Sequence, residues 1–131
     1  MKYFISYRFT GEDPAVLKSD IEGIKNALVE AGHSSYASIE KQNTLRERSN
    51  REILEDSLQE LRSAGAILVF KKSPEKSEGM LIEIGYALAR KKKMVLAIQR
   101  NISTVFLREI ADIVIDFENM DDLKKQLAQL K

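Results

Sequence analysis

The chain has 131 residues, 44% hydrophobic and 31% charged, a composition suited to one globular domain over residues 1–131 with a single core. Lysine plus arginine number 21 against 20 aspartate plus glutamate, so no global field recruits nucleic acid or an acidic membrane surface. Cysteine is absent and histidine occurs once, as His33; this excludes a disulfide framework, a thiolate zinc site and a cysteine nucleophile, and argues against a histidine-rich metal site or a Ser-His-Asp triad.

The opening MKYFISYR enters directly into a strand pattern, with no leader-like segment and no membrane-spanning apolar run, so a cytoplasmic protein is expected. Lys2 to Tyr7 reads as a buried strand. Asp13 caps a helix with Pro14 in its first turn, where the missing N–H costs nothing. Leu17, Ile21, Ile24, Leu28 and Ala31 form that helix's apolar stripe, and Gly32 is placed to end it. Ser34 to Ile39 is a weaker strand. Ser49 and Glu52 make a capping box for a second helix, whose buried side is Ile53, Leu54, Leu58 and Leu61. Ala66 to Phe70 (AILVF) is a continuous apolar run, as in a central parallel strand. A loop, Lys71 to Lys76, leads into a helix beginning near Ser77. Then come a strand at Met94 to Ile98, a short helix near Thr104 to Ile110, a strand at Ile113 to Phe117, and a last helix carrying Leu123, Leu127 and Leu130.

Five strands each followed by a helix imply an α/β fold with a parallel sheet covered on both faces. With five strands the expected arrangement is a flavodoxin-like three-layer sandwich of order 2-1-3-4-5. Strands one and three are then neighbours at the switch point, and the loops after them, Arg8 to Asp13 and Lys71 to Gly79, line the ligand crevice.

The segment Gly79 to Ala89 (GMLIEIGYALA) carries one charge, Glu83. A carboxylate in a helix this apolar is costly to keep ionised. It has either a buried cationic partner or a place in a pocket, where it can attack an anomeric carbon or stabilise an oxocarbenium-like transition state. On a helical wheel, Leu81, Ile84, Gly85 and Leu88 share a face expected to pack on the sheet. Ile82, Tyr86 and Ala89 lie away from it and suggest a two-fold subunit interface. Ser77, Glu78 and Gly79 at the helix start form either an ordinary cap or a small anion site. Ser6, Arg8, Thr10 and Gly11 stand in the first loop region; Arg8 can grip a phosphate bidentately or sit solvated. Tyr7 can stack on a base or fill the core. Arg46, Arg48 and Arg51 either add positive charge near the crevice or solvate a helix start.

The stretch SEGMLIEIGYALA resembles the signature of the nucleoside 2-deoxyribosyltransferase superfamily, whose helix carries a nucleophilic glutamate in a context like Glu83-Ile84-Gly85-Tyr86-Ala87. The N-terminal YFISYRFTGED looks most like the branch that hydrolyses deoxynucleoside 5′-monophosphates. That resemblance implies a 5′-phosphate held by Ser6, Arg8, Gly11, Ser77 and Gly79, a glycosyl intermediate formed or stabilised by Glu83, and Tyr7 beside the base or sugar. It implies a small-molecule nucleotide ligand and no metal or cofactor; the outward face of the Glu83 helix, read above from the wheel, adds the expectation of a homodimer through that helix. The sequence departs from the family pattern where an aspartate usually opens the third strand, here Ala64-Gly65, and where the transferases carry another, here Ser77. Both departures bear on base recognition and leaving-group protonation. FISYR followed by Gly11-Glu12-Asp13 is also similar to the first motif of TIR domains. That implies, as the alternative, a NAD-cleaving enzyme or a non-catalytic nucleotide-sensing or assembly module.

Overall fold

In the computed structural model, which describes residues 1–38 and 49–131, ten elements alternate along the chain. They are β1 (Lys2–Tyr7), α1 (Pro14–Glu30), β2 (Ser34–Tyr36), α2 (Asn50–Ser63), β3 (Ala66–Lys71), α3 (Glu78–Ala89), β4 (Lys93–Gln99), α4 (Leu107–Ile110), β5 (Ile113–Phe117) and α5 (Met120–Leu127). All strand pairs are parallel and the sheet order is β2-β1-β3-β4-β5. The α/β, flavodoxin-like arrangement expected from the alternation is the one formed. Ile39, Arg46 and Arg48 lie outside the described residues.

Strand alternation divides the core into two layers. Tyr3, Ile5 and Tyr7 of β1 and Ala66, Leu68 and Phe70 of β3 pack under α1 and α5. Phe4 of β1 with Ile67 and Val69 of β3 face α2 and α3, where they meet Leu61, Met80, Ile84 and Ala87. β3 is buried along its whole length, which is why its sequence lacks any polar alternation.

The caps follow the sequence. Asp13 accepts N–H bonds from Ala15 and Val16. Ser49 and Glu52 close a reciprocal capping box. Gly32, at φ +88°, ends α1, while the His33 N–H reaches back to the Leu28 carbonyl at 2.8 Å. Ala27 rather than Ala31 completes the buried stripe of α1, because Ala31 is already the C-cap. β2 stops at Tyr36, three residues short of the expected end, and β3 runs one residue further, to Lys71. The register pairs Ser6 with Val69 and Tyr7 with Phe70, so the ends of β1 and β3 lie side by side.

Candidate active site

Ser77 caps α3, its Oγ accepting the Met80 N–H at 3.3 Å. From there the helix turns Met80, Ile84 and Ala87 onto the sheet. The expected inward arc of Leu81, Ile84, Gly85 and Leu88 is therefore corrected: Ile84 is buried, but Leu81, Gly85 and Leu88 face outward. Tyr86, expected to point away, packs against the edge of the α2–α3 core, with Arg90 over its ring. This helix is apolar nearly all round, so hydrophobicity alone does not select its inward arc. The arc that does face inward carries Met80, Ile84 and Ala87 together with Glu83.

Glu83 lies on the inward arc, partly buried, near the C-terminal end of β1. Ser6, 1% exposed, donates from Oγ to Glu83 Oε1 at 2.7 Å. Ser57, buried on α2, donates a second hydroxyl bond to the same side chain. Among the described residues no lysine or arginine forms an ion pair with it. Burial pushes the carboxyl up from its ordinary 4.5 to about 7, and the two hydroxyl bonds, which favour the anion, keep it from rising further. The group is thus poised between acid and carboxylate at neutral pH, the condition under which a side chain serves as nucleophile or proton carrier.

Arg8 leaves β1 and sets Nη1 3.4 Å from Glu12 Oε1. Gly11 follows at φ +83°, and a Cβ there would meet Arg8 Nη2 at 2.8 Å. Glycine suits the left-handed turn, and any side chain there would also push the Arg8 guanidinium aside. Gly79, in the first turn of α3, has nothing within 4 Å of where a Cβ would stand, so the helix start is open to an incoming group beside the Ser77 hydroxyl. Tyr7 points to the opposite sheet face from Ser6; its ring is buried and its hydroxyl lies 2.9 Å from Ser38 Oγ. Tyr7, Arg8, Lys71 and Met80 nonetheless all line one depression across the C-terminal edge of the sheet. The structure thus unites Ser6 with Glu83, and sets Arg8 against Gly11 and Ser77 beside Gly79.

Two residues of this region were not singled out in the sequence. Ser57 falls on the Leu54, Leu58, Leu61 stripe of α2, and a hydroxyl on an apolar stripe was the available signal. Lys71 continues the Ile67, Val69 alternation of β3, legible once the strand is extended by one residue. Among the described residues no three His, Cys, Asp or Glu side chains gather as metal ligands, and no helix is long and apolar enough to cross a membrane.

Residues 6–123 match the family model described as nucleoside 2-deoxyribosyltransferase. The chain belongs to that family. The match begins at Ser6 and takes in Glu83 and its helix, so the family segment contains both partners of the buried hydrogen bond. Among solved structures, the chain is similar to the Clostridium botulinum CMP N-glycosidase BcmB, with 17% identity, 99% of this chain and 100% of that one covered, and a TM-score of 0.73. It is similar also to the 2-deoxyribosyltransferase of Bacillus psychrosaccharolyticus, at 18% identity, coverage of 97% and 96%, and a TM-score of 0.65. A conserved protein from Enterococcus faecalis V583 gives 15% identity, 98% coverage of both chains and a TM-score of 0.66. At these identities the likeness establishes the common fold. No curated protein sequence gives a significant match.

Proposed function

We propose that the chain is an N-glycosidase or ribosyltransferase-like enzyme that cleaves the N-glycosidic bond of a nucleoside 5′-monophosphate through Glu83. The observation that carries this reading is the partly buried Glu83 carboxyl, raised to about 7 and held by the Ser6 hydroxyl at 2.7 Å. Family membership over residues 6–123 and the fold shared with a CMP N-glycosidase support it. In the proposed reaction one carboxylate oxygen bonds to the anomeric carbon as the bond to the base nitrogen breaks. The base leaves with the electron pair and takes a proton, and water or a second base then releases the sugar from the carboxylate. Arg8, Ser77 and the open backbone at Gly79 hold the phosphate, Ser6 and Gly11 fix the carboxylate and the arginine respectively, and Tyr7 forms the crevice wall. No metal or cofactor is required by this chemistry.

The active unit in this proposal is a homodimer through α3. Leu81, Ile82 and Leu88 are 49%, 46% and 42% exposed, and Gly85 between them presents bare backbone with nothing of its own chain near. A second copy packed at Gly85 would cover this arc.

The test is incubation of pure protein with a panel of nucleoside 5′-monophosphates, with free base followed by chromatography. Base release that is abolished in Glu83→Ala supports the reading; release undiminished in that variant removes the mechanism. A non-catalytic nucleotide sensor is the competing reading, favoured by Ala64-Gly65 standing where the family usually has an aspartate and Ser77 where the transferases have one. It predicts nucleotide binding without base release over long incubation.

A further inference from the structure

Four consecutive cations, Arg90, Lys91, Lys92 and Lys93, join the end of α3 to the start of β4, at the sheet edge opposite Glu83. The whole chain has a net charge of only +1, so this is a local concentration of charge. Among the described residues no aspartate or glutamate side chain forms an ion pair with any of the four. Three of them have inward tasks. Arg90 lies over the Tyr86 ring. Lys92 Nζ donates to the Arg62 and Ala64 carbonyls at 2.9 and 2.7 Å, closing the end of α2. Lys93 Nζ donates to Lys131 O at 3.3 Å. Lys91 has none: it is exposed, and among the described residues its side chain makes no hydrogen bond or ion pair. It also sits at φ +56°, the left-handed position just past a helix where glycine is usual. The helix end does not need its charge, because the Arg90, Lys91 and Lys92 N–H groups return to the Tyr86, Leu88 and Ala87 carbonyls at 3.1, 3.1 and 2.9 Å. A strained residue with no internal contact points to an external one.

The three lysines line an open groove of about 570 Å³ with Leu88, Ile110 and Asp112. Leu88, 42% exposed, ends the exposed arc of α3, and the groove lies beyond it toward β5. Ile110 closes α4. Asp112, the single acid in the lining, accepts the Met94 N–H at 2.8 Å and is committed to the start of β4. We propose that this groove docks an acidic segment of a partner protein, whose carboxylates meet the lysines while an apolar side chain packs on Leu88 and Ile110. Charge complementarity selects an anionic partner. The apolar pair selects a polypeptide over a nucleic acid, because a phosphate backbone has no side chain to pack there and the groove has no aromatic ring on which a base could stack. The groove lies at the far edge of the sheet from Glu83, so the proposal is independent of the glycosidase reading.

The probe is a short fluorescein-labelled peptide of glutamates with one central leucine, titrated with the full chain by fluorescence polarisation. Its counterparts are the same peptide with glutamine for every glutamate, the peptide with glutamate for the leucine, and a labelled thymidine oligonucleotide. Wild type should bind the acidic leucine peptide more tightly than all three. Lys91→Gly removes the charge and relieves the backbone, so it should resist urea at least as well as wild type and yet bind the peptide about 2- to 5-fold more weakly. Lys91→Glu should weaken binding further. Lys125→Glu, on α5 across the sheet, should bind as wild type does. Unchanged peptide affinity in both Lys91 variants overturns the proposal, as do wild-type binding of the glutamine or leucine-free peptide at equal strength, tighter binding of the oligonucleotide, or no binding at all. Base release from nucleotides should be the same in Lys91→Glu and wild type, so failure of the glycosidase reading and failure of the docking site are read separately.

Discussion

Replacing Glu83 by glutamine should stabilise the protein at alkaline pH and barely affect it in mild acid. The unfolded carboxyl titrates near 4.5, whereas the folded one titrates at about 7 because burial disfavours the anion. Between those values the native state holds a proton that the unfolded chain has released. Stability from this group is therefore complete below pH 4.5, falls as pH rises, and is lost above pH 7. At ~1.36 kcal/mol per tenfold, the full span amounts to about 3 kcal/mol. Glutamine keeps the shape, can accept one serine hydroxyl and donate to the other, and has no proton to lose. The stability of Glu83→Gln minus that of wild type should then rise by about 2.5 kcal/mol between pH 5 and pH 8. Urea unfolding at the two pH values, extrapolated to water, gives that difference, and titrations elsewhere in the molecule cancel from it. A difference that is the same at both pH values would mean that Glu83 titrates as an exposed glutamate, and the argument from a sheltered carboxyl would fail.

Further outcomes follow from the same geometry. Base release from a nucleotide should fall on the acid side of about pH 7, where Glu83 is protonated; Ser57→Ala removes a bond that favours the anion and should move that limb to higher pH, as read from a kcat/KM profile. Gly11→Ala forces a side chain into φ +83° and a Cβ to 2.8 Å from Arg8; it should cost about 1–2 kcal/mol by chemical denaturation and weaken sugar-phosphate binding. Gly85→Arg places a long charge in the middle of the exposed arc of α3 and should convert a dimer to monomers by light scattering; Gly85→Ala, in the monomer, should add up to ~1 kcal/mol through helix propensity. Leu68→Ala, at a fully buried position of β3, should cost about 2–5 kcal/mol in urea unfolding.

The strand order was legible because alternation of apolar runs with capped helices leaves few topologies. The caps at Asp13, Ser49 and Ser77 and the stop at Gly32 fixed most helix boundaries. Glu83 was legible as a single charge in an apolar helix. Its orientation was not, because Leu81, Ile82, Ile84 and Leu88 spread around the helix and give no preferred arc, and its hydroxyl partners Ser6 and Ser57 are distant in sequence. Lys71 was hidden by its type: a lysine after an apolar run marks a loop by composition, yet here the backbone continues its pairing with β4 through Lys71 and Ile98. Tyr7 shows the converse. Its neighbours in sequence, Ser6 and Arg8, belong to the proposed site, but the pleat sends its ring into the other layer.

The strand bearing Ser6 precedes the other four strands in the chain, yet it belongs in the interior of the sheet. During synthesis it can pair with β2 along one edge, while the other edge stays bare until residues 66–71 emerge, and Glu83 follows later still, 77 positions behind its hydroxyl partner. A nascent chain stalled before that point presents an unpaired strand edge and a Ser6 hydroxyl without its carboxyl partner. The Ser6–Glu83 hydrogen bond therefore joins parts of the chain that can meet only after β3 has been laid between them.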